Sequence, residues 1–271
     1  MACSGGLSAP KLRGHSSQVK RSTAPVRWQD MLWAAVAAVA VALVLKTFVI
    51  DFSRVSSASM APTLLPGDYV LISKVAYAIG LPSRLPLVGL LLPEGLRWWY
   101  RMPRRWDVVV LDFPGMPGQV RPDTPQYLLK RVVGLPGDTL RFNGDTLVIN
   151  HTAYLLPGMQ QKPQRLVVPY RGMRVQLSAR TLSQWLPLLQ REGRRVELRN
   201  DTVFLDGIPT TSYTVQQDYF FLMGDNYRTS WDSRHWGVVP QQVIVGKAVV
   251  IYYSRADNGR VRWNRIGHFL H

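Results

Sequence analysis

The first long pattern in the chain is an uninterrupted apolar run. Residues 31–45 contain no polar side chain, and residues 47–50 extend the run beyond Lys46. A helix needs about 20 such residues to span the hydrocarbon core of a bilayer. Lys46 lies near one end of the run, where its long side chain can reach the interface. The pattern therefore predicts a transmembrane anchor over residues 31–50.

The residues before this run carry the charge that orients such an anchor. Residues 1–30 contain five Lys or Arg residues and a single acid, Asp30. Because excess positive charge stays in the cytoplasm, we expect a cytoplasmic tail, one span and an extracytoplasmic remainder. A cleavable signal peptide ending near Ser56-Ser57-Ala58 is a rival interpretation, but the apolar cores of signal peptides reach only about 7–15 residues. A buried core helix is the third.

A second apolar stretch, residues 76–96, is rich in Leu, Pro and Gly, and residues 97–102 add Arg and Trp. Its prolines argue against a second continuous span. Two interpretations stay open for residues 76–102. The segment dips into the lipid headgroup region, or it is a loop that covers part of the core.

Beyond residue 68 the apolar positions form short β-branched or aromatic runs separated by Gly and Pro, which is typical of strands. Few amphipathic helices separate the runs, which disfavours a parallel βαβ architecture. We expect a mainly β protein, with an N-terminal transmembrane helix followed by an antiparallel β-rich catalytic domain. The predicted strands cover residues 69–72, 107–111, 126–129, 243–245 and 248–253.

A weak internal repeat predicts a subdomain inserted into that domain. Residues 139–149 and 195–205 both consist of strand, tight polar turn and strand, and Asn143-Gly144 is a strong signal for a type I′ turn. Residues 177–191 carry apolar side chains at helical spacing, although Pro187 limits the helix. The expected domains are a tail of residues 1–30, the anchor at 31–50, a catalytic core of 51–139 and 218–271, and an inserted β subdomain of 140–217.

Composition and charge narrow the partners. A formal net charge of +16 attracts nucleic acid or anionic lipid, and no helix-turn-helix, zinc-finger or RNA-binding signature is present. With a predicted span, anionic lipid headgroups are the favoured partner, and we expect no nucleic acid. The single cysteine, Cys3, leaves no disulfide. No residue cluster has the spacing of zinc or calcium ligands, so we expect neither a metal nor another cofactor.

Candidate chemistry begins just after the apolar run, in the segment Ser57-Ala58-Ser59-Met60-Ala61-Pro62-Thr63-Leu64. A serine hydroxyl is a poor nucleophile until a base takes its proton. Among the five histidines only His235, close to Asp232, is a serious candidate for that base. No Gly-x-Ser-x-Gly elbow is present to support a Ser-His-Asp triad.

Lysine is the alternative base, because burial lowers its pKa by disfavouring the charged form. Apolar residues precede Lys130 and follow Arg131, so a strand there carries Lys130 into an apolar setting. Because successive side chains of a strand point to opposite faces, only one of Lys130 and Arg131 points into the core. We expect Arg131, which cannot deprotonate, to point outward. Lys74 also has apolar neighbours. The alternative interpretation of Lys130 is a solvated strand lysine.

Three segments, in order behind an anchor, resemble those of bacterial type I signal peptidases, the serine–lysine endopeptidases that cut signal peptides from exported proteins. They are residues 57–64, the segment Lys130-Arg131-Val132-Val133-Gly134-Leu135-Pro136-Gly137-Asp138, and Gly224-Asp225-Asn226 running into Ser230-Trp231-Asp232-Ser233-Arg234. The resemblance implies a β-rich protease of the bacterial inner (plasma) membrane with its catalytic domain in the periplasm. It also implies that Ser59 is the nucleophile and Lys130 the general base.

The resemblance implies supporting roles as well. The Ser59 backbone N–H and the Ser57 hydroxyl would form the oxyanion hole. Ser230 would hydrogen-bond the Lys130 amine and orient it. The polar network expected to fix the Ser230 loop consists of Asp225, Asp232 and Arg234.

The expected partner is the signal peptide of an exported pre-protein. It would add in extended form beside the segments that lead into Ser59 and Lys130. Shallow pockets there would suit the family's preference for Ala-x-Ala sites. The residues expected to line them are Val55, Met60, Leu64, Leu128 and Leu129, for which ordinary core packing is the alternative.

The last segment departs from the family pattern. Signal peptidases commonly have Gly-Asp-Asn-Arg-Asp-Asn-Ser, whereas this chain has Gly-Asp-Asn-Tyr-Arg-Thr-Ser over residues 224–230. Two other functions therefore stay open. One is a specialised serine–lysine peptidase of the same superfamily, such as one that matures a pilus subunit. The other is a catalytically silent, membrane-anchored binding protein.

Overall fold

A computed structural model describes residues 27–80, 97–113, 115 and 126–270. The expected cytoplasmic tail, apart from its last four residues, and most of the stretch at 76–102 lie outside the described residues, so both remain predictions. The chain divides into two compact units, Met1–Ala42 and Leu43–His271.

Helix α1 spans Trp28–Phe48 and is the described helix that is long and apolar enough to cross a membrane. The predicted anchor is wrong at its C-terminal end, because Ile50 already belongs to the first strand. The helix ends where side chains take up its last carbonyl groups. Thr47 Oγ1 donates to the Leu43 carbonyl at 2.6 Å, and Lys74 Nζ donates to the carbonyls of Lys46 and Thr47.

Strands are the predominant regular structure of the remaining described chain, which confirms the mainly β fold. They are β1 Ile50–Arg54, β2 Asp68–Ser73, β3 Ala78–Gly80, β4 Arg97–Trp99, β5 Val108–Asp112, β6 Tyr127–Gly134, β7 Thr139–Gly144, β8 Thr146–Ile149, β9 Thr152–Leu155, β10 Gln161–Val167, β11 Arg174–Gln176, β12 Val196–Arg199, β13 Thr202–Leu205, β14 Ile208–Pro209, β15 Ser212–Thr214, β16 Tyr219–Met223, β17 Val239–Pro240 and β18 Ile244–Ser254. Two further helices are α2 Leu182–Arg191 and α3 Ser233–Trp236.

One large antiparallel sheet positions the candidate site. Its strand order is β1-β2-β18-β5-β6-β16-β17. The runs predicted at 243–245 and 248–253 form the single strand β18, in which register shifts absorb the break in alternation. Apolar side chains pack on both faces of the sheet, for example Val108 and Val110 on one and Val109 and Leu111 on the other.

Smaller sheets occupy residues 139–214, in the orders β10-β7-β8-β9, β11-β15 and β12-β13-β14. The turn predicted at Asn143-Gly144 is wrong by one residue, because Asn143 pairs with Thr146 and Gly144 takes φ of 57°. The second hairpin turns at Asn200 and Asp201, both with positive φ, as a type I′ turn requires. The core of these smaller sheets is continuous with the core beside β6 and β16. The boundaries of the inserted subdomain, 140–217, stay a prediction.

Candidate active site

Ser59 lies in a single 3₁₀ turn, Ala58–Met60, which follows β1. The turn is held by two apolar neighbours in the core, Met60 and Leu64, with exposed fractions of 1% and 0%. Ser59 itself is half-buried, so its hydroxyl stays within reach of a reactant. The pattern of buried and open positions thus presents one serine from an otherwise anchored turn.

Lys130 projects from the middle of β6 and is only 3% exposed. Its Nζ lies 2.9 Å from Ser59 Oγ and 3.3 Å from Ser230 Oγ. Burial lowers the pKa of the Lys130 amine; Asp232 and Asp225 oppose this shift and Arg234 adds to it. The interpretation of Lys130 as a solvated strand lysine is therefore wrong.

The pairing of β16 with β6 explains how Ser230 reaches this amine. Met223, the last residue of β16, pairs with Arg131, so the chain that leaves β16 passes beside Lys130. It then turns back on itself, with the Ser230 N–H donating to the Asn226 carbonyl at 2.9 Å. Ser230 is 2% exposed.

Asp232 and Arg234 hold the far side of this loop. Asp232 is completely buried, and its carboxylate accepts hydrogen bonds from Arg234 Nε and Nη2, both at 2.8 Å. The same carboxylate accepts the Gly224 N–H at 3.0 Å, which ties the two ends of the loop together. Arg234 also donates to the carbonyls of Tyr227 and Ser230. The residues that depart from the family pattern, 227–229, therefore still belong to a closed network.

Asp225 pairs with Arg131, which the sequence analysis did not include in the polar network. It accepts hydrogen bonds from Nε and Nη2 of Arg131, both at 2.7 Å. The prediction that Arg131 lies outside is wrong, since only 13% of its side chain is exposed. A buried carboxylate on the adjacent loop stabilises the guanidinium, and this pair connects β6 to the start of the Ser230 loop.

Asn226 and Gly224 are functional candidates for which the sequence predicted no role. The Asn226 N–H donates to the Ser59 carbonyl at 3.1 Å, and its side-chain amide donates to the Ala58 carbonyl at 3.2 Å. A Cβ placed on Gly224 would overlap both Ser230 Oγ and the Ser59 carbonyl oxygen. The only sequence signal for either residue is the Gly-Asp-Asn motif itself.

The structure brings Ser57 close to Ser59 and keeps the two alternative bases away from Ser59. Ser57 Oγ lies 3.1 Å from Ser59 Oγ. Lys74 Nζ pairs with Asp51 at 2.9 Å. His235 stacks on Trp231 at 4.2 Å between ring centroids, and its Nδ1 accepts the Asp232 N–H.

The expected pocket residues divide into two groups. Val55, Met60 and Leu64 are at most 4% exposed and pack in the core on one face of the large sheet. Most of each side chain therefore packs in the core, as the alternative interpretation expects, and a substrate can contact only its edge. Leu128 and Leu129 are half-buried, so pocket lining stays a prediction for all five.

Within the ranges that the structure describes, no group of three or more His, Cys, Asp or Glu side chains is arranged to hold a metal ion. The arrangement at Ser59 contains instead a hydroxyl, a buried amine and a second hydroxyl in one chain of hydrogen bonds. Chemically, this set suits proton transfer from a serine to an amine.

The chain is similar to several known proteins. A family model described as signal peptidase, peptidase S26, matches residues 28–253. The chain is 32% identical to signal peptidase I of Pseudomonas aeruginosa over 80% of this chain and 69% of that protein. It is 31% identical to signal peptidase I of Pseudomonas fluorescens over 79% and 68% of the two chains.

A solved signal peptidase I from Enterococcus faecalis matches with 22% identity over 54% of this chain and 97% of that one, at a TM-score of 0.28. That score is too low for the superposition to carry an argument, so the assignment depends on the sequence matches. A family match across most of the chain, together with relatives above 30% identity, places it in the peptidase S26 family of signal peptidases.

Proposed function

We propose that this protein is a membrane-bound serine endopeptidase that removes signal peptides from exported pre-proteins, with Ser59 as nucleophile and Lys130 as general base. The observation that carries the proposal is the distance of 2.9 Å between Ser59 Oγ and the Nζ of the buried Lys130. Membership of the signal peptidase family supports the reaction class.

The reaction begins with the neutral Lys130 amine. It takes the Ser59 proton as Oγ attacks the carbonyl carbon of the scissile bond, and it then gives that proton to the departing amine. The resulting acyl-enzyme is hydrolysed by a water that the same amine activates. A lowered pKa suits this cycle, because an amine protonated at working pH has no lone pair to accept the proton.

Three groups around Ser59 support the charged intermediate and the base. The oxyanion that forms on the attacked carbonyl is stabilised by the Ser59 N–H and the Ser57 hydroxyl, whose oxygen lies next to Ser59 Oγ. Ser230 lies 3.3 Å from Lys130 Nζ and directs the amine toward Ser59.

The substrate adds in extended form along β6. Strand β5 pairs with β6 from residue 127 to 131, whereas β16 pairs with it only from Arg131 onward. Over Leu128–Lys130, the edge of β6 that faces away from β5 lies next to the Ser59 turn. This edge suits an added strand. In this proposal Leu128 and Leu129, both half-buried, line shallow pockets that accept the small side chains of an Ala-x-Ala site.

Helix α1 anchors the protein in the membrane, and the basic tail holds its N-terminus in the cytoplasm. The catalytic part then faces the periplasm, where exported precursors emerge. The charge of +16 supports additional contact with anionic headgroups. No metal takes part in this mechanism.

The test is cleavage of a pre-protein with an Ala-x-Ala site by the full chain in detergent. Wild type should cut after the second Ala, and Ser59→Ala and Lys130→Ala should each lose at least about a thousandfold in rate. Matched controls are Ser56→Ala and Lys162→Ala, which change an exposed serine of the same segment and an exposed lysine. Both should retain wild-type rates.

Other outcomes would redirect the proposal. If Lys130→Ala still cleaves, the base lies elsewhere, and Lys74 and His235 are the next candidates. If wild type binds the precursor without cutting it, the binding-protein alternative holds. Cleavage confined to one narrow class of precursor, such as pilus subunits, would favour the specialised peptidase.

A further inference from the structure

The C-terminal end of helix α2 carries two adjacent side chains that reach opposite ends of the Ser230 loop. Arg191 is the last residue of α2, and Glu192 follows it. Both belong to the region predicted as an insert, and neither has a role in the proposed mechanism. They are 39 and 38 positions before Ser230 in the chain.

Arg191 contacts the segment that follows the loop. Its Nη2 donates to the Trp236 carbonyl at 2.6 Å, and its Nη1 donates to the Val238 carbonyl. Trp236 is the last residue of α3, which begins directly after Asp232. Burial lowers the pKa of the Arg191 guanidinium to about 10, so it stays charged at neutral pH and remains a strong donor to both carbonyls.

Glu192 contacts the strand that precedes the loop. Its carboxylate accepts the hydroxyl groups of Tyr213 at 2.6 Å and Tyr219 at 3.1 Å, and the Gln216 N–H at 3.1 Å. Tyr219 is the first residue of β16, and β16 ends immediately before Gly224. The two side chains therefore connect one helix end to both flanks of the loop that bears Ser230.

Packing alone does not set the distance between α2 and this region. A cavity of about 430 Å³ lies between α2, β10 and α3. Trp185 and Leu188 of α2 line one side, and Arg234 and His235 line another. The cavity leaves Trp185 on one face of α2 only partly buried, whereas Leu188 and Leu189 of the same helix are buried in the core. The directional hydrogen bonds at the helix end therefore add to this packing in fixing the position of the loop.

We propose that the end of α2 clamps the Ser230 loop in its working position, and that Arg191 is a positioning residue for the peptidase reaction. The inference rests on the proposed function of Ser59, Lys130 and Ser230. Arg191 acts through the carbonyls of Trp236 and Val238, which hold α3 and with it Asp232 and Ser230. The region predicted as an insert thereby contributes to catalysis without contacting the substrate.

Release of this clamp has two separate consequences. Ser230 moves away from Lys130, so the amine is poorly oriented toward Ser59 and kcat falls. Water also reaches Lys130, which weakens the burial that lowers its pKa. The charges that face Lys130, those of Asp232, Arg234 and Asp225, remain on the chain, so the loss of burial decides the direction and the pKa rises.

The test compares Arg191→Gln with Arg199→Gln in the full chain, using the same pre-protein assay. Arg199 is an exposed arginine of β12 whose side chain is 64% exposed and which pairs with Glu197. For Arg191→Gln we expect kcat to fall about ten- to a hundredfold with KM little changed. The rising limb of its pH–kcat profile should move to higher pH, toward the ordinary lysine pKa of about 10.4. Arg199→Gln should match wild type in both measurements.

A second pair of variants distinguishes a change at Lys130 from a general folding defect. Arg191→Lys keeps the charge and the stem but cannot donate to both carbonyls equally well, so it should lie between wild type and Arg191→Gln in kcat and in the position of the limb. Glu192→Gln should shift the limb in the same direction. A loss of active fraction through misfolding lowers kcat without moving the limb.

Thermal unfolding shows whether Arg191→Gln and Arg191→Lys are folded. The inference is overturned if either variant is folded and its pH–kcat profile rises at the same pH as that of wild type. Failure of the proposed function appears differently, as an inactive wild type or an active Lys130→Ala.

Discussion

At the scale of single residues, the site depends on a conflict between solvation and charge at Lys130. An amine with 3% exposure loses most of its hydration, and the two hydroxyl oxygens beside it do not replace a full water shell. The protein therefore favours the neutral amine, which is the form that accepts a proton. In the proposed mechanism Lys130 is the general base, and the burial that suits it to this role destabilises the fold whenever the amine is protonated.

This conflict predicts how stability depends on pH. The folded-state pKa of Lys130 is below its unfolded value, so the unfolded chain binds more protons between the two values and wild-type stability rises with pH through that window. Lys130→Met lacks this dependence. Its gain in Tm over wild type should be largest below the folded-state pKa and should shrink as pH rises toward about 10.4. A Tm difference that grows with pH would contradict the burial argument.

At the scale of elements, the loop between β16 and α3 works because it approaches the Ser59 turn very closely. Asn226 donates to the carbonyls of Ala58 and Ser59, and Gly224 lies against Ser230 and the Ser59 backbone. No side chain fits at residue 224. The requirement is one of space, because φ at Gly224 does not fall in the left-handed region.

Gly224→Ala should therefore abolish most activity while leaving the fold largely intact. The new methyl group pushes Ser230 away from Lys130 and shifts the Ser59 turn, and we expect kcat to fall about a hundredfold. Gly172→Ala is the control: that glycine has φ of 88° with open space around it. It should lower Tm through backbone strain and leave kcat unchanged. Equal kcat in both variants would show that the close approach is unimportant.

At the scale of the whole molecule, one buried carboxylate joins three distant parts of the chain. Asp68, with no exposed surface, accepts Arg265 Nη2 and Ser254 Oγ, each at 2.6 Å, and the Leu65 N–H at 2.8 Å. Arg265 also donates to the Thr63 carbonyl at 2.8 Å. The C-terminal segment is thus tied to the chain just after the Ser59 turn.

Asp68→Asn should cost about 3–5 kcal/mol of unfolding free energy, since it leaves Arg265 without its buried partner. Burial alone would raise the pKa of Asp68, but the hydrogen bonds from Arg265, Leu65 and Ser254 lower it overall. The carboxylate therefore stabilises the fold above its unfolded-state pKa of about 3.9, and this contribution is lost as pH falls through the lower folded-state value.

Denaturant unfolding at neutral and acid pH measures both effects. The gap between wild type and Asp68→Asn should narrow in acid. Asp206→Asn, at an ion pair in which both side chains are 41% exposed, serves as the control and should change stability much less. A gap that is the same at both pH values would contradict the role given to Asp68.

Local patterns explain why much of the fold was predictable. The apolar run, the β-branched runs of β2 and β5 and the Asn200-Asp201 hairpin each depend on a few consecutive residues. The errors arose where a distant partner decided. Helix α1 ended early because Lys74 took up its last carbonyls, and Arg131 turned inward because Asp225 was there to pair with it.

The chemical groups of this protein can be read from the chain: an apolar helix, a serine shortly after it, a lysine in an apolar segment, and a Gly-Asp-Asn segment that ends in a second serine. That these groups meet depends on contacts between distant parts of the chain. Ser59 and Ser230 are 71 and 100 positions from Lys130, and they converge because β6 pairs with β16 and because Asn226 docks on the Ser59 turn. The residues that hold the loop, Asn226, Arg131 and Arg191, act through distances and burial, which depend on the whole fold and leave no local pattern in the chain.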